Sequence, residues 1–65
     1  MRDPNRIYKF CNEFAKLWSK VPDWRFGQLI DNLSSEIDSC EFWNMEDDVM
    51  IQRLNEILDK WISER

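Results

Sequence analysis

Apolar side chains along the first third of the chain recur every three or four residues, which is the spacing of one face of an α-helix. Asp3-Pro4 precedes this stripe. Such a pair favours a helix start, because the carboxylate can cap free backbone N–H groups and proline is tolerated at the first helical position. The pattern predicts a first helix over residues 4–19. Its apolar positions are Ile7, Phe10, Cys11, Phe14, Leu17 and Trp18.

A break and a second helix are predicted next. Pro22 disfavours helical geometry at the residue before it, Val21, so the chain is expected to leave the first helix here. Asp23 follows and is suited to cap a new helix. The apolar spacing then resumes and predicts a second helix over residues 24–33. Its apolar positions are Phe26, Leu29, Ile30 and Leu33, with Ile37 continuing the spacing.

Residues 34–44 show no sustained period and are rich in serine and acidic residues, so they are predicted to form a connection that ends in an extended aromatic pair. Asn44 is predicted to cap a third helix over residues 45–63. Three acids fall in its first turn, where the positive end of the helix dipole favours them. They are Glu46, Asp47 and Asp48, and the apolar stripe that follows is Met50, Leu54, Ile57, Leu58 and Trp61, widened by Ile51 and Ile62.

Three helices without strand-like alternation predict an all-α fold, a small three-helix domain spanning residues 1–65. A chain of 65 residues buries only about 60% of the surface that it exposes when unfolded. The aromatic residues with helical spacing are therefore predicted to supply much of the core. They are Phe10, Phe14, Trp18, Phe26 and Trp61.

Gly27 is the single glycine of the chain and falls inside the second predicted helix. A glycine there costs roughly 0.8 to 1 kcal/mol relative to alanine, so a packing or geometric reason is expected. Asp23 and Gly27 are predicted to form a structural pivot, in which Asp23 starts the helix and Gly27 lets a neighbouring helix approach closely. The alternative is a local kink without a packing partner.

Charge is unevenly distributed along the chain. The net charge is −4, with a net +2 over residues 1–33 and a net −6 over residues 34–65. Such polarity can steer a charged partner or pair two copies head to tail.

The residue types argue against catalysis. The chain has no histidine, which removes the commonest general base and the commonest metal ligand. Cys11 lies on the apolar stripe and is predicted to be a buried small hydrophobe, whereas Cys40 is expected to be exposed in the connection. The acids at 46–48 are consecutive and diverge around a helix, so no metal site is predicted. We therefore expect a protein that is not an enzyme and has no cofactor.

The cellular location is predicted from features that the sequence lacks. The two cysteines lack the C-x-x-C spacing and are expected to be reduced thiols. No apolar signal region opens the sequence, and no apolar run reaches membrane-spanning length. The sequence predicts a cytoplasmic protein without a membrane association.

The second predicted helix also resembles the reading helix of a DNA-binding protein, since Arg25, Gln28 and Asn32 suit base edges. The carboxylates of Asp23 and Asp31 on the same helix would repel phosphate, and the net charge is negative. Nucleic-acid binding is therefore an alternative rather than the leading hypothesis. It would use the basic groups Arg2, Arg6, Lys9, Lys16, Lys20 and Arg25.

Aromatic residues that a small interior cannot easily hold predict a contact surface. Tryptophan and tyrosine are favoured where proteins meet, and Tyr8 belongs to this group. The predicted partner surface is Trp24, Arg25, Phe42 and Trp43. The leading hypothesis is a non-enzymatic protein-protein interaction module whose partner is another protein or a second copy. Besides nucleic-acid binding, an acidic inhibitor that mimics nucleic acid is a further alternative.

Three sequence blocks carry a resemblance to other proteins. They cover residues 2–7, 22–30 and 42–48. The chain resembles a group of short proteins of Gram-positive bacteria and their phages that open with R-D-P-x-R-I, carry P-D-x-R-x-G-Q-L, and have F-(Y/W)-x-(M/I)-E-D-D before a final helix. Members often have Asp-Pro before the aromatic pair, where this chain has Cys40-Glu41. The resemblance implies a phage or mobile-element origin and no known activity.

Overall fold

The computed structural model describes residues 2–64, which form four α-helices and contain no strand. The all-α prediction is confirmed. The prediction of three helices is wrong, because the expected connection over residues 34–44 contains a short helix. In chain order the helices are α1 (Asn5–Trp18), α2 (Phe26–Ser34), α3 (Ser39–Asn44) and α4 (Asp47–Ser63).

α1 follows its prediction to within one residue at each end. The Asp3 carboxylate accepts a hydrogen bond from the Asn5 backbone N–H at 3.0 Å, so this side chain caps the first turn as expected. At the other end, the Ser19 N–H still bonds to the Ala15 carbonyl at 3.0 Å. The chain is non-helical from there to Arg25, which confirms the predicted break around Pro22.

α2 begins two residues later than predicted, and Asp23 does not cap it. Arg25 is the extended residue that precedes the helix, with φ −76° and ψ 156°. Its backbone N–H donates to Gln28 Oε1 at 2.9 Å. Arginine has no acceptor atom, so the helix start is held by the glutamine side chain rather than by a carboxylate at position 23.

α3 was missed because six residues are too few to show a repeated apolar spacing. The Asp38 carboxylate starts it by accepting the Cys40 N–H at 3.2 Å. Asn44 does not cap the following helix as predicted. It is the last residue of α3, and its side-chain amide donates to the Cys40 carbonyl at 2.8 Å.

α4 is the longest helix, as predicted, with 17 residues. Glu46 is its extended N-cap residue, and Asp47 and Asp48 fall in its first turn. The carboxylates at positions 47 and 48 therefore lie where the helix dipole favours negative charge.

The buried core is aliphatic, which corrects the prediction of an aromatic core. It forms where α4 packs against α1 and α2. Phe26 is 57% exposed, and the other aromatics expected inside are only partly buried. A chain of this length has a small interior, and its buried positions hold leucine and isoleucine rather than aromatic rings. The core residues are Leu17, Leu29, Leu33, Ile37, Leu54 and Leu58, none more than 6% exposed.

Aromatic rings instead form a shell around this core. Phe14 contacts Phe26 with ring centroids 6.4 Å apart, and Trp18 contacts Phe26 at 5.8 Å. A further pair is Trp24 and Trp61, which meet edge to face at 5.7 Å. Such edge and tilted contacts are the favoured geometries of aromatic pairs, so the shell contributes packing energy beyond the area that it covers.

Gly27 does not admit a neighbouring helix, so the predicted pivot with Asp23 is wrong at both of its residues. Gly27 is exposed in the first turn of α2, and a β-carbon built on it has no heavy atom within 4 Å outside its own helical backbone. Its φ is negative. Neither packing nor backbone geometry therefore requires glycine at this position.

A Gly27→Ala substitution is expected to raise the free energy of unfolding by roughly 0.5 to 1 kcal/mol, because alanine loses less backbone entropy in a helix. Urea denaturation at one fixed protein concentration measures the change. The reciprocal Gln52→Gly substitution on the exposed face of α4 serves as the control and is expected to cost a similar amount. A loss of stability in Gly27→Ala would mean that the glycine has a structural role after all.

Candidate interaction surface

Phe42 and Trp43 lie side by side on α3 but face different surroundings. Phe42 is partly buried and packs against the core, whereas Trp43 is 88% exposed. Consecutive residues of a helix are turned by about 100° from each other, so one can anchor the helix while the next points to solvent. The predicted extended pair is therefore wrong, and helical geometry gives the two rings separate roles.

Trp24 and Arg25 also differ from each other in exposure. The Trp24 ring is partly buried against the core, and its carbonyl accepts the Trp18 indole N–H at 2.8 Å. Arg25 is exposed. Of the predicted partner surface, Trp43 and Arg25 are thus exposed, while Trp24 and Phe42 belong mainly to the aromatic shell.

Tyr8, which was grouped with the contact aromatics but left out of the predicted partner surface, is exposed together with two residues that were not predicted as a surface. Tyr8 is 71% and Ile7 51% exposed, and Cys11 is exposed as well. The prediction of a buried Cys11 is wrong, because Leu17 rather than Cys11 faces the core. The signal was present in the width of the apolar stripe on α1, which exceeds what one neighbouring helix can cover. Cys40 is exposed as predicted, although it lies in α3 rather than in a loop.

The basic half and the acidic half of the chain meet each other within the molecule. Arg2 bonds to Glu46 at 2.7 Å, and Arg6 pairs with Asp47. The hydrogen bond and the charge of Glu46 raise the pKa of the Arg2 guanidinium. Much of the sequence's charge polarity is therefore offset where the start of the chain lies beside the start of α4.

A further ion pair lies at the opposite end of the contact between α1 and α4, after the last residue of α1. Lys20 Nζ lies 2.8 Å from Asp59 Oδ1 and 3.1 Å from Asn55 Oδ1. Exposed pairs of this kind typically contribute about 0 to 1 kcal/mol each. Their main effect here is to place opposite charges together along the contact between α1 and α4.

These pairs weaken the structural basis of nucleic-acid binding. Arg2, Arg6 and Lys20 each have a carboxylate beside them, so they offer less positive charge to phosphate. Asp31 lies with Gln28 and Asn32 around one shallow depression. A carboxylate thus stands beside the two amides that were considered suitable for reading base edges.

An open groove of about 610 Å³ lies between the start of α1 and the start of α4. Its polar lining includes the paired Arg2, Arg6, Glu46 and Asp47. Those charges already satisfy one another. Within residues 2–64, no group of three or more potential ligands is placed to hold a metal ion. In the same part of the chain, no helix is long and apolar enough to cross a membrane.

Comparison with known proteins does not assign the chain to a family. No protein-family model matches the sequence, and no curated protein or solved structure matches it either. The resemblance carried by the three sequence blocks stays a prediction.

The different environments of Phe42 and Trp43 predict different costs of truncation. Phe42→Ala is expected to lower the free energy of unfolding by about 2 kcal/mol, less than the roughly 3 to 5 kcal/mol of a fully buried ring. Trp43→Ala is expected to change it by no more than about 0.5 kcal/mol. Urea denaturation of both variants checks this. Equal losses would contradict the orientation of α3 described above.

Proposed function

We propose that this protein is a non-enzymatic interaction module that binds another protein, with Trp43 as the anchor of its binding surface. The observation that carries the proposal is the 88% exposure of this indole on a helix that Phe42 fixes to the core. Tryptophan is enriched among the few residues that dominate binding energy at protein interfaces.

The helix that carries Trp43 is held in place by contacts within the chain. Asp38 caps the start of α3, and the Asn44 side chain bonds back to Cys40 at the other end. Phe42 and Met45 pack against the core on either side of Trp43. A ring held on a preorganised helix loses less conformational entropy on binding than one on a flexible loop.

The charge around Trp43 indicates the chemistry of the partner. No lysine or arginine occurs between Arg25 and Arg53, whereas Glu36, Asp38 and Glu41 lie nearby in the sequence and are exposed. We therefore propose an apolar pocket for the indole, surrounded by basic residues on the partner. Complementary charge of this kind contributes mainly to specificity and to the association rate.

The two alternative functions have weaker support. Nucleic-acid binding would rely on basic side chains such as Arg6 and Lys20, which pair with Asp47 and Asp59. An inhibitor that mimics nucleic acid would rely on those same carboxylates. Since the charges pair with each other, the surfaces that both alternatives need are partly neutralised.

Affinity capture from the native host tests the proposal, using the wild-type chain, Trp43→Ala and the control Gln52→Ala. We expect at least one protein to bind to the wild type and to the control but not to Trp43→Ala. For the purified pair, calorimetry is expected to show a roughly thirtyfold or larger loss of affinity, since an anchoring residue contributes about 2 kcal/mol or more. An unchanged set of partners with unchanged affinities would refute Trp43 as the anchor.

A further inference from the structure

A second apolar surface is formed by exposed side chains of α1. They belong to Ile7, Tyr8, Cys11 and Ala15. Cys11 follows Tyr8 by three residues and Ile7 by four, and Ala15 follows Cys11 by four, so Ile7 and Tyr8 lie at the two edges of one helical face that Cys11 and Ala15 continue. We call this surface, together with the half-buried Phe14 and Trp18 beside it and Phe26 of α2, the outer face of α1.

The part of the outer face that lies on α1 contains no charged residue. Charged residues of this stretch of α1 lie elsewhere, since Lys9 and Glu13 line the groove toward α4 and Lys16 pairs with Glu13 at 3.3 Å. A partner that covers the face would therefore not bury an unpaired charge, which is the most costly consequence of forming an interface.

The exposed apolar area is large for so small a chain. Tyr8 is 71% and Phe26 57% exposed, so these two rings alone present roughly 200 to 300 Å² to water. Ile7, Cys11 and Ala15 add to this area. Contiguous apolar patches of more than a few hundred Å² typically mark sites of association.

The total accessible surface of the molecule also favours association. Its accessible surface is 5210 Å². A folded monomer of the same mass exposes about 4,500 Å², so this chain has roughly 700 Å² in excess. Each partner in a standard protein interface covers about 800 Å². The excess over the whole molecule is similar in size to that share, and the exposed rings of Tyr8 and Phe26 contribute part of it.

We infer that the outer face of α1 is the seam of a homodimer, in which it packs against the same face of a second copy. An uncharged apolar face is self-complementary, because a two-fold axis brings no like charges together across it. Homodimer interfaces are also more apolar than those of transient complexes. The inference goes beyond the proposed function, since Trp43 belongs to α3 and stays available to another protein.

Sedimentation equilibrium over a range of protein concentrations tests the seam. The wild type is expected to be dimeric, and Tyr8→Glu is expected to raise the dimer dissociation constant at least about tenfold, because it places a charge in the apolar seam. Trp43→Glu is the matched control, an exposed aromatic on another helix, and is expected to leave the constant unchanged. Circular dichroism of each variant verifies that it is folded.

Thiol reactivity gives a second readout within one chain. Raising the protein concentration increases the dimer fraction by mass action. We expect this to slow alkylation of Cys11 by N-ethylmaleimide roughly tenfold. Cys40 on α3 is the internal control and should react at a constant rate. A wild type that stays monomeric, or a dimer that dissociates with Trp43→Glu and not with Tyr8→Glu, would overturn the inference. The second outcome would assign self-association to α3 and leave the α1 face without this role.

Discussion

The fold depends on six aliphatic side chains that meet where α4 crosses α1 and α2. Full burial of one such side chain contributes about 1.5 to 3 kcal/mol, so this small core has little energy to spare against the conformational entropy of the chain. The aromatic side chains, which are larger, lie outside this core. The aromatic rings cover the core as a shell, and those that the shell cannot hold remain exposed on α1 and α3. The two proposed interaction surfaces are therefore consequences of the size of the core.

Electrostatic pairing within the chain sets the second constraint on function. The sequence separates positive from negative charge, which suggests attraction between molecules, but the fold brings Arg2 to Glu46 and Lys20 to Asp59. These pairs are exposed and contribute little to stability. They do reduce the charge that either half offers to an outside partner. Recognition through exposed apolar and aromatic groups then has more support than recognition of nucleic acid.

Sequence reasoning succeeded where a periodic pattern was long. α1 and α4 span four to five turns, and their predicted ranges agree with the structure to within two residues at each end. Sequence reasoning failed where local hydrogen bonds determine where a helix begins. The start of α3 depends on Asp38, and the start of α2 depends on Gln28. The burial of Cys11 and Phe26 was also mispredicted, because a stripe of apolar residues does not say how much of its width a neighbouring helix covers. Of the predicted surface, the exposure of Trp43 and Arg25 agrees with the prediction, whereas Trp24 and Phe42 pack inward.

Hydrogen exchange of the tryptophan indole N–H groups, followed by NMR, tests most directly the claim that an aromatic shell surrounds an aliphatic core. The Trp18 indole N–H is bonded to the Trp24 carbonyl at 2.8 Å in the shell, whereas Trp43 is 88% exposed. The account predicts that Trp18 exchanges slowly, only when the structure opens, and that Trp43 exchanges at the rate of an unfolded peptide. Protection of Trp43 together with rapid exchange of Trp18 in the free protein would contradict it.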